Sequence, residues 1–412
     1  MNDKLAIFVF LPFCKIRCTY CDFNVYAHLA RWMAPYADAV AREVRNSKFK
    51  IQNPYRVRSV YLGGGTPSLM PVASIAKILR ECERFSSLIP RPEITLEANP
   101  GNVDEAKLRA LGSLGVNRLS IGVQSFDDAT LRRLNRGHTA ADALTTYDLA
   151  RRAGFENISL DLIYGLPLQT LADWRATLDR ALALAPEHLS LYALKVEEGT
   201  GLAHQIARGK YPIPDDDLTA EMYELAEEVL DAAGYAQYEI SNWAKRIRNS
   251  KFVIQNSVSP TSNLQPPTSN FQSPISNLQS RHNLTYWRNE PYLGFGAGAH
   301  SCFGGERFWN VLSPLEYIQR IARGESVVAG REQISRELEM AETMILGLRL
   351  NEGIAFVKFA ERYGEDARVK YARQLRESQE LGLLDLSDER ARLTPRGRLL
   401  SNEVFWRLLP DK

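Results

Sequence analysis

Cys14, Cys18 and Cys21 stand in the run Cys-Lys-Ile-Arg-Cys-Thr-Tyr-Cys, straight after the apolar stretch Leu5–Phe13. Three thiols within eight residues point to metal in a reducing compartment, since five cysteines in 412 residues are far too few for a disulfide framework. A structural zinc ion is closed by four ligands. No fourth Cys or His follows at a useful spacing: position 23 is Phe23, and the nearest imidazole is His28. On a four-iron cluster each thiolate takes one iron, so three leave the fourth iron open to a small chelating molecule. The spacing therefore favours a [4Fe–4S] cluster on Cys14, Cys18 and Cys21 over zinc.

Polar residues further along could hold that molecule. Gly63-Gly64-Gly65-Thr66-Pro67 offers bare backbone to a charged ligand, with a tight turn as the plain alternative. Glu97, Gln124 and Asp161 fall in or at the ends of predicted strands, and Arg136 lies in the loop Leu134–Thr139. Any one of them could be a buried hydrogen-bonding residue. Together they could hold a polar, charged ligand, because a carboxylate such as Glu97 accepts from hydroxyls and a guanidinium such as Arg136 donates bidentately to a carboxylate. Cys82 and Cys302 are isolated and are expected to be packed and inert.

The elements that must position these groups follow a repeated beat. Short apolar runs at Leu5–Phe13, Ser59–Leu62, Glu93–Glu97, Arg118–Val123, Ser159–Tyr164 and Leu189–Leu194 alternate with helical stretches such as Arg31–Arg45, Ala73–Arg84 and Ala140–Ala153. Six such units predict an α/β fold, a partial (β/α)6 barrel with one open side and its polar residues at the strand ends, where barrel enzymes place their sites. This core takes up residues 1–245, with a loop insertion at 45–53. Residues 246–281 read as a disordered low-complexity insertion, rich in Ser, Asn, Gln and Pro, whose prolines at 260, 267 and 274 exclude a helix. The nine residues Arg248–Asn256 match Arg45–Asn53 at all but one position, as two insertions of related origin would. Residues 282–335 form a connecting region, and 336–412 read as a C-terminal α+β module resembling a winged helix.

A formal net charge of +2 gives no long-range field toward nucleic acid or an anionic membrane. Arg and Lys of the C-terminal module are interleaved with Glu and Asp, which argues against DNA binding there and for a lid or docking role. The first apolar run is too short to span a bilayer and lacks the flanks of a signal peptide, so a buried strand in a cytoplasmic chain is expected.

A C-x3-C-x2-C loop after the first strand of a partial barrel resembles the radical SAM superfamily. The resemblance implies that S-adenosylmethionine chelates the open iron, that an electron from the cluster cleaves it to a 5′-deoxyadenosyl radical, and that Gly64, Gly65, Thr66, Glu97, Gln124, Arg136 and Asp161 contact it. The phrases GGGTPS, RLSIGVQSF, DLIYGLPLQT and LTPRGRLLSNEVF resemble the oxygen-independent coproporphyrinogen III oxidase group over nearly the whole chain. That group has two branches. The oxidases carry a further cysteine two positions after the third and a longer N-terminal arm, whereas Phe23 and a first cysteine at position 14 are similar to the heme chaperone branch. His282-Asn-Leu-Thr-Tyr-Trp287 matches the HNxxYW motif of that branch, which implies heme binding with His282 as axial ligand and Tyr286 and Trp287 against the porphyrin; a core histidine beside aromatic rings is the plain alternative. Two positions depart from the family pattern. Phe8 and Phe10 replace its usual Tyr and His, removing one contact to S-adenosylmethionine and one imidazole.

The expected function is thus a heme chaperone that binds heme or porphyrin, carries a [4Fe–4S] cluster with S-adenosylmethionine, draws on an electron donor, and passes heme to an acceptor protein at the membrane. The alternatives are oxidative decarboxylation of coproporphyrinogen III, and radical chemistry on another substrate with His282 purely structural.

Overall fold

The computed structural model describes residues 4–47, 55–85, 88–246 and 278–410. Most of the two stretches read as insertions, 45–53 and 246–281, lies outside the described residues. The six predicted strands are present as β1 (Lys4–Leu11), β2 (Arg56–Gly64), β3 (Leu88–Ala98), β4 (Arg118–Gln124), β5 (Ile158–Tyr164) and β6 (His188–Ala193). They pair in parallel in that order. Their apolar residues are buried on both faces, as a parallel sheet under helices requires; in β4 all but the terminal Gln124 are buried.

The connecting helices have local reasons to start where they do. Thr139 with Asp142 and Thr170 with Asp173 form reciprocal capping boxes at the N-termini of Ala140–Arg152 and Leu171–Ala183. Trp174, Leu178 and Ala181 of the latter then turn into the core cluster that underlies the whole barrel.

The segment after His282 does more than connect. Tyr292–Phe295 adds a seventh parallel strand beside β1, in register Ala6↔Tyr292 to Val9↔Phe295. It opens an antiparallel extension through His300–Phe303, Glu306–Asn310 and Val328–Gln333. On the other edge Asn242–Lys245 and Tyr235–Glu239 continue from β6, giving a sheet of 12 strands. These additions escaped the periodicity because they are short, glycine-punctuated and only partly buried.

A second core gathers Met344, Phe356, Phe359, Leu375, Leu393 and Phe405 in the C-terminal module. There a three-stranded sheet of Ile354–Ala355, Arg390–Leu393 and Leu384–Leu386 packs with helices, the α+β arrangement expected for it. Among the described residues no helix is long and apolar enough to cross a membrane.

Candidate functional site

A cavity of about 670 Å³ opens at the C-terminal ends of β1–β6, and Cys14, Cys18, Cys21, Gly64, Gly65, Thr66, Glu97, Gln124, Arg136 and Asp161 all line it. The topology explains the convergence. In a parallel barrel every strand delivers its last residues to the same end, so groups more than a hundred positions apart meet there.

The cysteine loop is sewn to its surroundings through the backbone. Gly65 N donates to Leu11 O at 3.0 Å and Thr66 N to Phe13 O at 2.8 Å, while Thr19 N donates to Leu134 O at 3.0 Å. A Cβ on Gly65 would stand 2.6 Å from Phe13 O, so the glycine is needed for this close approach. Gly64 adopts φ +112° and donates its N–H to Glu97 Oε2 at 3.0 Å. The glycine run thus faces the protein's own groups as much as the cavity.

Arg136 ties the thiols to the polar floor. Nη1 donates to Cys18 Sγ at 3.3 Å and to Tyr20 Oη at 3.4 Å, and Nη2 donates at 2.7 Å to both Asn99 Oδ1 and Gly122 O. Its Nε is buried without a partner among the described residues. Asn99 in turn donates to Thr66 Oγ1 at 2.9 Å, and Thr66 Oγ1 lies 3.6 Å from Cys14 Sγ. Burial pushes the Cys14 thiol up and raises Cys21 to about 11, a penalty that iron binding removes by replacing the proton.

Two carboxylates lie on the floor. Glu97 accepts from Tyr61 Oη at 2.8 Å and from Gly64 N, and burial, opposed by these donors, raises its pKa to about 7. Asp161 accepts from Ser120 Oγ at 2.8 Å and from Ser159 Oγ at 3.2 Å, and burial raises it too. Gln124 closes β4 at φ +68°, a left-handed conformation for a non-glycine residue, beside a register shift against β5. Three thiols at the mouth, a guanidinium with a spare N–H between them and the floor, and acceptors below match the donor set for an iron–sulfur cluster with a charged nucleoside against it.

His282 sits elsewhere. It lies on the helix Arg281–Trp287, is buried, and does not line the cavity. Nδ1 shares a 3.1 Å hydrogen bond with Ser59 Oγ and Nε2 a 3.0 Å bond with Tyr286 Oη. Its ring stacks on Tyr61 at 4.9 Å between centroids, and burial lowers its pKa to about 3. In this arrangement both ring nitrogens are engaged, one by Ser59 and the other by Tyr286. Trp287 lies under the Arg349 guanidinium, 4.4 Å from its ring centroid. Phe8 and Phe10 pack edge to face, Phe8 against Tyr61 and His282 and Phe10 beneath Gly64.

Sequence reasoning missed Tyr61 and Asn99. Tyr61 lies inside β2 and Asn99 directly follows β3, so a count of polar residues at strand ends would have reached Asn99 but not Tyr61.

Comparison with known proteins places this architecture. The radical SAM superfamily model matches residues 8–181, and the HemN C-terminal domain model matches 334–400. The heme chaperone HemW of Bacillus subtilis (strain 168) is 36% identical over 98% of this chain and 99% of its own length. Its namesake from Mycobacterium tuberculosis (strain ATCC 25618 / H37Rv) is 34% identical over 99% of this chain and 95% of its own. The mitochondrial radical S-adenosyl methionine domain-containing protein 1 of Bos taurus is 34% identical over 99% and 88%. Among solved structures, the coproporphyrinogen III oxidase HemN of Escherichia coli superposes with a TM-score of 0.79 at 21% identity, covering 99% of this chain and 90% of that one. This last likeness is one of fold.

Proposed function

This chain belongs to the HemW heme chaperone family within the radical SAM superfamily, and on that premise we propose that it binds heme, holds a [4Fe–4S] cluster with S-adenosylmethionine, and hands the heme to an acceptor protein. The observation that carries the cofactor part is the single cavity shared by the three cysteines and all seven residues read as contacts to S-adenosylmethionine. When bound, the cluster and sulfonium supply one-electron reductive chemistry.

The remaining roles belong to the chain's own side chains. Cys14, Cys18 and Cys21 hold three irons. Arg136 donates to the Cys18 sulfur, which favours electron density there and raises the reduction potential. Glu97 and Asp161 would accept from ribose hydroxyls, and Gln124 and Thr66 would help to hold the ligand. Asn99 keeps Arg136 and Thr66 in register with each other. His282 enters as a positioning residue for Tyr286. We propose further that the acceptor is met at a membrane to which this chain is peripheral on the cytoplasmic side.

Anaerobic reconstitution with iron and sulfide, followed by S-adenosylmethionine and then heme, tests this reading by absorption and EPR. A [4Fe–4S] spectrum perturbed by S-adenosylmethionine, with heme bound separately, is expected. Tetrahedral zinc in anaerobically purified protein, or decarboxylation of added coproporphyrinogen III, would count against it.

A further inference from the structure

We propose that Tyr61 is a positioning residue for the S-adenosylmethionine site, aiming the Glu97 carboxylate into the cluster cavity, and that His282 of the HNxxYW segment acts on that site by holding the Tyr61 ring; this rests on the reading above that Glu97 accepts from the ligand's ribose.

Tyr61 touches both regions. Its hydroxyl donates to Glu97 Oε1 at 2.8 Å, its ring stacks on His282 at 4.9 Å between centroids with 29° between the planes, and it lines the cluster cavity together with Glu97. Glu97 Oε2 accepts from Gly64 N at 3.0 Å. One donor on each oxygen sets the plane of the carboxylate and leaves further lone pairs on both oxygens for a ligand. Both donors come from β2, so the strand that carries the glycine run also aims the acid on its neighbour β3.

The hydroxyl is only as well placed as the ring that bears it. Phe8 packs against Tyr61 at 5.9 Å and against His282 at 6.0 Å, so the three rings form one closed group. Gly63 completes the seat: a Cβ there would stand 2.8 Å from Tyr61 Cε1. His282 is fixed in turn by Ser59 of β2 and by Tyr286, and its backbone N–H donates to Glu93 of β3 at 3.1 Å. The helix Arg281–Trp287 is thereby indexed to the same two strands that carry Tyr61 and Glu97. Phe8 has no hydroxyl and both His282 nitrogens are engaged, so of the three rings Tyr61 supplies the donor to Glu97. A ring that only filled the core would need no hydroxyl.

The test is anaerobic titration of the full-length, cluster-loaded protein with S-adenosylmethionine and with its analogue lacking both ribose hydroxyls. Binding is followed by calorimetry and by the EPR signal of the reduced cluster in wild type, Tyr61→Phe, His282→Asn and the double variant. Iron–sulfur content and melting temperature report on folding. Tyr61→Phe keeps the ring and loses only the hydroxyl. Its preference for S-adenosylmethionine over the analogue should narrow about tenfold, the order of one hydrogen bond to a charged group, with unchanged cluster content. His282→Asn should narrow that preference about threefold, the order of one ring contact, and should add nothing to Tyr61→Phe, because the two residues act in series. A Tyr61→Phe protein that keeps the wild-type preference, or loses affinity for both ligands equally, would overturn the proposal. No narrowing in His282→Asn, or narrowing that adds to that of Tyr61→Phe, would overturn the part assigned to His282. Wild type that takes up neither ligand, or both equally, would overturn the proposal together with the reading it rests on.

Discussion

The cluster cavity and the His282 helix contain the same classes of side chain and are built in opposite ways. Around the cluster cavity, Glu97, Asp161 and Arg136 are braced by neighbours yet line a large open space, and Arg136 Nε has no partner among the described residues. On the helix, His282 spends both nitrogens inside the core and does not line that cavity. A polar residue with capacity to spare is poised for a ligand, and one without it is part of the frame. Residue type alone does not separate the two.

The sharpest way to break this contrast is at the sulfurs. Replacing Cys14, Cys18 or Cys21 by Ser should abolish the four-iron cluster, read as loss of its absorption and EPR signals, because each thiolate holds one iron. Cluster assembly that survives any of these changes would end the cavity's claim to be the loaded site. Next in size is Arg136→Leu. It strips Asn99 Oδ1 and Gly122 O of a charged donor and should cost on the order of 3 kcal/mol in chemical denaturation. It should also lower the cluster's potential, since Cys18 loses a hydrogen bond.

The two regions also titrate in opposite senses. His282 has a folded pKa of about 3 against 6.5 as the ordinary value, so the unfolded chain binds the extra proton. Its contribution to stability is full above pH 6.5 and is lost as pH falls from there toward 3, up to a few kcal/mol. Glu97, raised to about 7 from 4.5, works the other way: the folded state keeps its proton, and stability declines as pH rises from 4.5 to about 7. The unfolding free energy of His282→Asn should therefore lose some of the acid sensitivity of wild type, and that of Glu97→Gln some of the decline toward neutral pH. Parallel profiles for wild type and both variants would dissolve the contrast. The smallest effects come from packing. Gly65→Ala should cost about 1–3 kcal/mol through its clash with Phe13 O, and Ser59→Ala about 1–2 kcal/mol by orphaning His282 Nδ1, without loss of iron.

Much of this was legible in the residues, for identifiable reasons. The six barrel strands are apolar runs bounded by turn residues, and parallel pairing carries their ends to one place whatever lies between. That is why Glu97, Gln124, Asp161 and Arg136 could be grouped from position alone. The sheet extension beyond Tyr292 was not legible, because strands of four or five residues broken by glycines carry too little periodicity. Nor was the closure around His282. That depends on Ser59 and Tyr61, more than two hundred positions away, whose side chains meet the imidazole only once β2 lies under the helix. Cys302, expected to be packed and inert, lines a second cavity beside Tyr292 and Arg307.

Glu93 has a consequence of a different kind. Its carboxylate accepts from the backbone N–H of both Arg281 and His282, at 3.0 and 3.1 Å, and the Ser280 hydroxyl caps the same helix start at Asn283 N. The point at which the chain rejoins the barrel is moored by a residue of β3, independent of how much polypeptide intervenes after the strand Asn242–Lys245. Doubling that intervening length would cost only about 0.6 kcal/mol in closure entropy. A single buried acid thus frees the sequence upstream to grow or shrink over generations without disturbing the helix that follows it.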